Sequence, residues 1–136
     1  MNSKTSRLVI SLALVSFCLP LQTVAQTKIS YGQDPMQYGE LYLPAGEGPF
    51  PVVTFLHAGC WRSSEGMMNS YRAMAEAMTE RGIAAWNMQY RGATSPGGGW
   101  PGTWTDIARG FDALADIAES NPLDLDRAVV VGHSSG

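Results

Sequence analysis

A serine between two glycines carries the clearest candidate chemistry in the sequence. Residues 132–136 read Gly-His-Ser-Ser-Gly and follow directly on the apolar run at residues 128–131. When a β-branched strand breaks into such a tight turn, the strained backbone exposes the serine hydroxyl, and the flanking glycines avoid collisions across the bend. The spacing therefore predicts that Ser134 is a nucleophile on an elbow framed by Gly132 and Gly136. Ordinary Gly/Ser-rich surface turns can have the same five residues, so the neighbouring sequence has to decide.

Polar or glycine-rich sequence also follows two earlier apolar runs. Residues 57–61 read His-Ala-Gly-Cys-Trp and come directly after the run at 51–56, and Tyr90-Arg91 follow the run at 83–88. Parallel strands place their carboxyl ends at one edge of a sheet, where such sheets carry their chemistry. We therefore expect these two segments to converge with the turn that carries Ser134.

Strand and helix signals alternate along the chain. The pattern predicts an antiparallel strand over 38–43, buried strands over 51–56, 83–88 and 127–131, and helices over 69–81 and from about 103 to 120. Gly82 is the expected stop of the first helix, and Thr103 or Thr105 the expected N-cap of the second. Such alternation predicts an α/β fold, with a mostly parallel sheet and helices on both faces.

In this order and spacing, four features resemble the α/β-hydrolase superfamily, in particular esterases and lipases of the hormone-sensitive-lipase-like or kynurenine-formamidase-like groups. The features are the segment that begins at His57, residues 87–91 (Asn-Met-Gln-Tyr-Arg), residues 99–102 (Gly-Trp-Pro-Gly) and the serine elbow at 132–136. The resemblance runs from about Tyr38 to Gly136. It implies the N-terminal half of an α/β-hydrolase fold, ending at the nucleophile elbow.

The resemblance also implies roles for backbone groups near Ser134. In the family, the loop after the first buried strand donates N–H groups to the oxyanion of the tetrahedral intermediate. Carried over to this sequence, the donors are the N–H groups of Gly59 and Cys60, and that of Ser135 completes the hole. The sequence departs from the family pattern at Ala58, where glycine is usual. If that position required a positive φ, alanine would strain it by about 1–2 kcal/mol.

In this superfamily the catalytic residues occur in the order serine, aspartate or glutamate, histidine, so both partners of Ser134 are expected after it. The favoured function is a secreted serine hydrolase of carboxylic esters, with only the nucleophile present in this chain. Two alternatives stay open: an amide or peptide hydrolase (arylformamidase-like or prolyl-oligopeptidase-like) and an inactive truncated remnant. We expect the 136-residue chain alone to be inactive. Acyl and leaving-group specificity is not fixed by these residues.

The two histidines of the mature sequence are not expected to be catalytic. We expect His57 to be a structural residue that bonds its own loop, and His133 to be poorly placed as a base beside Ser134. A chymotrypsin-like triad of His57, Asp106 or Asp112, and Ser134 is rejected, because that scaffold is built from β-barrels and both aspartates fall within a predicted helix.

The sequence also predicts roles for Cys60 and for three large side chains in the loops. Cys60 is expected to be a small, partly buried loop residue rather than a reactive thiol. Trp61 and Trp100 are expected either to line the substrate pocket or to pack under loops. Arg91 is expected to hold its loop through carbonyl or carboxylate contacts.

The first residues have the pattern of an export signal. Lys4 and Arg7 precede an apolar stretch at 8–19, and residues 23–25 (Thr-Val-Ala) offer a cleavage site. The stretch is too short for a comfortable membrane span, so no stable membrane anchor is predicted. We therefore expect a signal peptide at 1–25, a partial α/β-hydrolase domain at 26–136, and a secreted or periplasmic location.

Composition excludes several classes of partner. After the signal, seven basic and twelve acidic groups leave a net charge of −5, which does not favour nucleic acid. One cysteine and two scattered histidines predict no disulfide and no metal site. No cofactor is implied, the expected partner is a small-molecule ester or amide substrate, and the oligomeric state is not fixed.

Overall fold

Five strands form a single mixed sheet in this computed structural model, which describes residues 25–62 and 65–136. The elements are β1 (Ala25–Ser30), β2 (Tyr38–Leu43), β3 (Phe50–Leu56), α1 (Glu65–Asn69), α2 (Arg72–Thr79), β4 (Ala84–Met88), α3 (Gly102–Ala118) and β5 (Leu123–Gly132). The order predicted from the sequence is confirmed, and β1 and the short helix α1 are additions to it.

The strand order of the sheet is β1-β2-β4-β3-β5. β2 pairs antiparallel with both of its neighbours, whereas β3 lies parallel to both β4 and β5. Only β2 therefore runs against the other four strands, which agrees with the predicted, mostly parallel sheet. The carboxyl ends of β3, β4 and β5 meet at one edge, and the loops that follow them begin side by side.

Helices cover both faces of the sheet, as predicted. On one face, Leu114 and Ile117 of α3 belong to the same buried cluster as Trp86 of β4. On the other face, Ala75 of α2 shares a cluster with Phe55 of β3. The strands β2, β3 and β4 thus send alternate side chains into two cores, which hold them in place between the helices.

Two helix predictions need correction. The helix expected over 69–81 is α2, which begins three residues later, at Arg72, and the short helix α1 precedes it. Gly82 does end α2, with a φ of 74°. Neither Thr103 nor Thr105 caps α3, since Pro101 occupies the cap position without a side-chain bond. The Thr103 hydroxyl donates instead to the carbonyl of Arg91, at 2.7 Å, and so ties the loop after β4 to α3.

β5 is longer and more exposed than the buried strand expected over 127–131. Val129 and Val130 are 58% and 55% exposed. Within the described part of the chain β5 is an edge strand, paired only with β3. Its apolar sequence has the character of a central strand, but its faces are uncovered here.

The predicted signal peptide falls almost entirely on residues 1–24, outside the described residues. Ala25, the last residue of that prediction, is the first residue of β1. Over the part of the chain that the structure describes, none of the helices has the length and apolarity to cross a membrane.

Candidate active site

Ser134 lies on a sharp turn at the carboxyl end of β5 and is exposed. Its φ is 58°, and the N–H of Gly136 closes the turn by donating to the carbonyl of His133 at 3.0 Å. A Cβ added at Gly132 would lie 2.5 Å from the carbonyl carbon of Gly136, and one added at Gly136 would lie 2.2 Å from the oxygen of Leu56. Both obstacles are backbone, so the serine elbow (residues 132–136) requires both glycines.

The segment after β3 forms a second strained turn, which we call the His57 loop (residues 57–61). The N–H of Arg62 donates to the carbonyl of Gly59 at 2.9 Å. The two central residues, Cys60 and Trp61, have φ values of 52° and 56°. Positive φ at both central positions is typical of a type I′ turn, which strongly favours glycine or asparagine there. Gly59 itself has a φ of 139°, and a Cβ on it would meet the sulfur of Met67.

The structure answers the condition set for Ala58 and corrects the prediction for Cys60. Ala58 is not among the residues with positive φ, so alanine is not strained there, and the positive φ values fall on Cys60 and Trp61. Cys60 is exposed rather than partly buried, because the corner of a tight turn points outward.

The His57 loop and the serine elbow touch. The N–H of Trp61 donates to the hydroxyl of Ser135 at 3.2 Å, and Gly136 packs against the end of β3 at Leu56. The carbonyl of Trp61 accepts from the N–H of Ala93 at 2.6 Å, which joins the loop after β4 to the same place. The carboxyl ends of β3, β4 and β5 therefore converge, as their polar sequences predict. Gly59, Cys60, Ser134 and Ser135 lie at this junction, and their catalytic roles stay a prediction.

His57 is fully buried and holds its own loop. Its Nε2 lies 2.8 Å from Oε1 of Gln89, and its Nδ1 lies 2.9 Å from the carbonyl oxygen of Ala58. The ring stacks on Tyr90, with centroids 4.3 Å apart, and the Tyr90 hydroxyl donates to the His57 carbonyl at 2.8 Å. Burial raises the pKa of Tyr90 to about 12, with a smaller electrostatic contribution from the neighbouring Tyr71. The hydroxyl therefore remains a donor at neutral pH. His57 is thus a structural residue.

Asp106 of α3 forms hydrogen bonds with Arg91 and Gln37. Its carboxylate accepts from Nε and a terminal nitrogen of Arg91, each at 2.7 Å, and from the Gln37 amide at 2.6 Å. Burial alone would raise the pKa of Asp106, but the hydrogen bonds from Arg91 and Gln37 outweigh it and lower that pKa. The partners of Asp106 are these two residues and not His57, which agrees with the rejection of a chymotrypsin-like triad. Arg91 holds its loop through a carboxylate, as expected.

A groove of about 450 Å³ lies beside the elbow, on the α2 face of the sheet. It is lined by Ala58, Gly59, Met67, Ser70, Tyr71, Met74, Val131 and His133. The two tryptophans expected to line a pocket or to pack under loops do neither. Trp61 is 47% exposed at the turn corner, and Trp100 is 80% exposed, with Trp104 at 5.4 Å as its edge-on neighbour. Over the described residues, no three His, Cys, Asp or Glu side chains cluster as metal ligands would.

A family model named BD-FAE matches residues 40–136, which run from β2 to the last residue of the serine elbow. The chain belongs to the BD-FAE family. The match spans β3, the His57 loop, the loop after β4 and the elbow, so all segments that converge near Ser134 lie within the BD-FAE region. No curated protein matches the chain by sequence.

Solved α/β hydrolases share the fold of this BD-FAE chain. Esterase B from Lactobacillus rhamnosis superposes with a TM-score of 0.71 at 27% identity, covering 83% of this chain and 36% of that protein. A bacterial heroin esterase gives a TM-score of 0.71 at 24% identity, covering 88% of this chain and 38% of its own. Est2, an esterase from Thermogutta terrifontis, gives 0.69 at 21% identity, covering 82% and 41%. The chain is an α/β hydrolase by fold, and it spans less than half the length of each of these relatives.

Gln89 belongs to the segment 87–91 of the resemblance, but its role as the partner of His57 was missed at the sequence level. Gln89 is fully buried, and its Oε1 accepts from the N–H of Tyr90 at 3.0 Å while facing His57. A signal existed, because Gln89 is a polar residue directly after a buried strand that leads to the expected site edge. Its partner His57 lies 32 residues earlier, and sequence spacing alone does not reveal such a pair.

Proposed function

We propose that the protein containing this chain is a serine hydrolase of carboxylic esters, with Ser134 as the nucleophile. The observation that carries the proposal is the conformation of Ser134 itself. This residue has a φ of 58° on a turn whose two glycines face backbone atoms within 2.6 Å of an added Cβ. Strained backbone of this kind costs of order 1–3 kcal/mol per residue, is held by the surrounding structure, and clusters at active sites.

In the proposed reaction, Oγ of Ser134 attacks the ester carbonyl and forms a tetrahedral intermediate. A histidine accepts the proton and returns it to the leaving alcohol, and a carboxylate orients that histidine. His57 and Asp106 are held in other networks, so we infer that these two partners come from outside the described residues. Water then attacks the acyl-enzyme and releases the acid.

The proposed oxyanion hole consists of the N–H groups of Gly59, Cys60 and Ser135. Its support is the contact between the His57 loop and the elbow, where Trp61 bonds to Ser135. The removal of one such donor typically costs about 2.7–4 kcal/mol of transition-state stabilisation. No cofactor or metal takes part in the proposal.

The names of the relatives support an ester substrate over an amide. Esterase B, at 27% identity, and the bacterial heroin esterase are both named as esterases. Because the chain spans only 36% and 38% of these proteins, we propose that residues 1–136 alone have no turnover. We also propose that residues 1–25 act as a signal peptide and that the protein is secreted or periplasmic. An immunoblot of cell fractions, with mass measurement of the mature N-terminus, tests both parts of the export proposal.

Steady-state hydrolysis tests the ester proposal. The intact protein is assayed with p-nitrophenyl acetate and butyrate and with the matched p-nitroanilides, next to Ser134→Ala and the distant control Ser120→Ala. We expect ester turnover in the wild type and in Ser120→Ala, and a loss of at least 1,000-fold in Ser134→Ala, in line with the effect of removing a triad member. Faster cleavage of the anilides would instead favour an amide hydrolase. Equal ester rates in the wild type and Ser134→Ala would contradict the proposal.

A further inference from the structure

The hydroxyl of Ser135 has no assigned part in the proposed reaction, yet it accepts a hydrogen bond across the site from Trp61. We propose that this hydroxyl is a positioning group that holds the turn of the His57 loop in its strained form. The inference rests on the proposed function and deepens it, because this turn carries the proposed donors Gly59 and Cys60. Ser135 would then serve twice, through its own N–H and through its side chain.

The turn needs an external hold because two of its residues are in an unfavourable conformation. Cys60 and Trp61 have φ values of 52° and 56°, and neither is glycine, asparagine or aspartate. For an ordinary L-residue the left-handed region is disfavoured, and such residues persist only where the surrounding structure fixes them. Without outside contacts, the peptide groups of residues 59–61 would therefore relax, and their N–H groups would change direction.

Packing of the Cys60 and Trp61 side chains contributes little to restraining the turn. Cys60 is exposed, and nearly half of the Trp61 side chain is exposed. The buried His57–Gln89 network ends at the start of the loop, where Nδ1 of His57 reaches the carbonyl of Ala58. Among the residues that the structure describes, hydrogen bonds to the backbone of the turn are therefore the main restraint on Cys60 and Trp61.

Trp61 is bound in this way on both sides. Its N–H donates to Oγ of Ser135 at 3.2 Å, and its C=O accepts from the N–H of Ala93 at 2.6 Å. The contact to Ala93 is between backbone groups and anchors the turn to the loop after β4. The contact to Ser135 is the only one of these two that a side chain makes, and it joins the turn to the residue next to the nucleophile. The geometry thus links the shape of the His57 loop to the formation of the elbow.

Amide hydrogen exchange at Trp61, followed by NMR in the intact protein, reads this bond directly. The variants are Ser135→Ala, which deletes the hydroxyl, Ser135→Thr, which keeps it, and Ser120→Ala, a control two residues after the end of α3. We expect exchange at Trp61 to accelerate about fivefold or more in Ser135→Ala, the size expected for one hydrogen bond. Ser135→Thr and Ser120→Ala should stay within twofold of the wild type. Amides of the β3–β4 pairing serve as internal references for global stability.

Kinetics separates positioning from folding. A turn that no longer aims its N–H groups weakens the transition state more than substrate binding, so kcat for p-nitrophenyl butyrate should fall about tenfold in Ser135→Ala with KM within twofold. Ser135→Thr should recover most of that loss. A merely structural defect would change the internal reference amides and would not be rescued by threonine.

Three outcomes would overturn the inference. These are unprotected exchange at Trp61 in the wild type, unchanged exchange at Trp61 in Ser135→Ala, and a Ser135→Thr variant that behaves like Ser135→Ala at that amide. The exchange readout does not depend on turnover. A protein without esterase activity but with the expected Trp61 exchange would refute the proposed function and leave the positioning contact standing.

Discussion

The guanidinium of Arg91 donates two hydrogen bonds of 2.7 Å to the carboxylate of Asp106, which is fully buried. The backbone N–H of Arg91 adds a third bond to the same carboxylate at 3.1 Å. This pair fixes the start of the glycine-rich loop after β4, against which the His57 loop is anchored at Ala93. The Arg91–Asp106 ion pair therefore stabilises the fold and also positions the loop that anchors the His57 loop.

Asp106→Asn should destabilise the protein by about 3–5 kcal/mol, because the fully buried carboxylate is replaced by an amide that leaves the partly exposed Arg91 without its counter-charge. Urea unfolding at pH 7 measures the change. Asp112→Asn, on the same helix, is the control and should change stability by less than about 0.5 kcal/mol. A loss of under 1 kcal/mol in Asp106→Asn would show that the pair is not structural.

The same carboxylate predicts how stability depends on pH. The pKa of Asp106 is lowered in the folded state, where hydrogen bonds from Arg91 and Gln37 outweigh the opposing effect of burial. Its contribution is therefore complete above the unfolded-state pKa of about 3.9, and is lost as pH falls through the lower folded-state pKa. Urea midpoints recorded from pH 7 to pH 2 should fall more steeply in the wild type than in Asp106→Asn. Parallel curves would contradict the assignment.

Gly132→Ala should disrupt the serine elbow through a collision alone, because Gly132 does not have a positive φ that alanine would disfavour. The new Cβ would lie 2.5 Å from backbone at Gly136, so the turn has to move. Gly82→Ala is the matched control, because Gly82 has a φ of 74° with nothing within 4 Å of an added Cβ. We expect a loss of ester turnover of at least 100-fold in Gly132→Ala. Gly82→Ala should keep its activity and lose about 1–2 kcal/mol of stability. Turnover in Gly132→Ala within threefold of the wild type would show that the turn is not required.

Gln89→Leu should destabilise the His57 loop. The substitution leaves the Tyr90 N–H and Nε2 of His57 without the oxygen that both face, and an unpaired buried donor costs about 1–3 kcal/mol. Chemical denaturation, with Gln33→Leu on the exposed surface as control, gives the value. Indistinguishable stability of the two variants would mean that the His57–Gln89 bond is not formed in solution.

Local pattern predicted much of this fold. The apolar runs located β3 and β4, and Gly82 marked the end of α2, because burial periodicity and positive φ are properties of short segments. The spacing of Gly132, Ser134 and Gly136 likewise predicted the elbow, since the collisions that require glycine arise within five residues and with the neighbouring strand.

The errors arose where distant partners decide. The turn register of the His57 loop placed the strain on Cys60 and Trp61 rather than on Ala58, and local sequence does not fix that register. The Thr103 hydroxyl bonds to Arg91 instead of capping α3 because the loop after β4 folds back onto the helix. β1 escaped prediction because its sequence is polar and exposed, and its register comes from β2.

Covalent labelling of Ser134 in the intact protein tests the central claim most directly. A fluorophosphonate reacts with a serine whose hydroxyl is activated by a neighbouring base, and peptide mass spectrometry locates the adduct. We expect one adduct, on Ser134, that is absent from Ser134→Ala and accompanies the loss of ester turnover. An adduct on another serine, or full turnover with Ser134 unlabelled, would contradict the account.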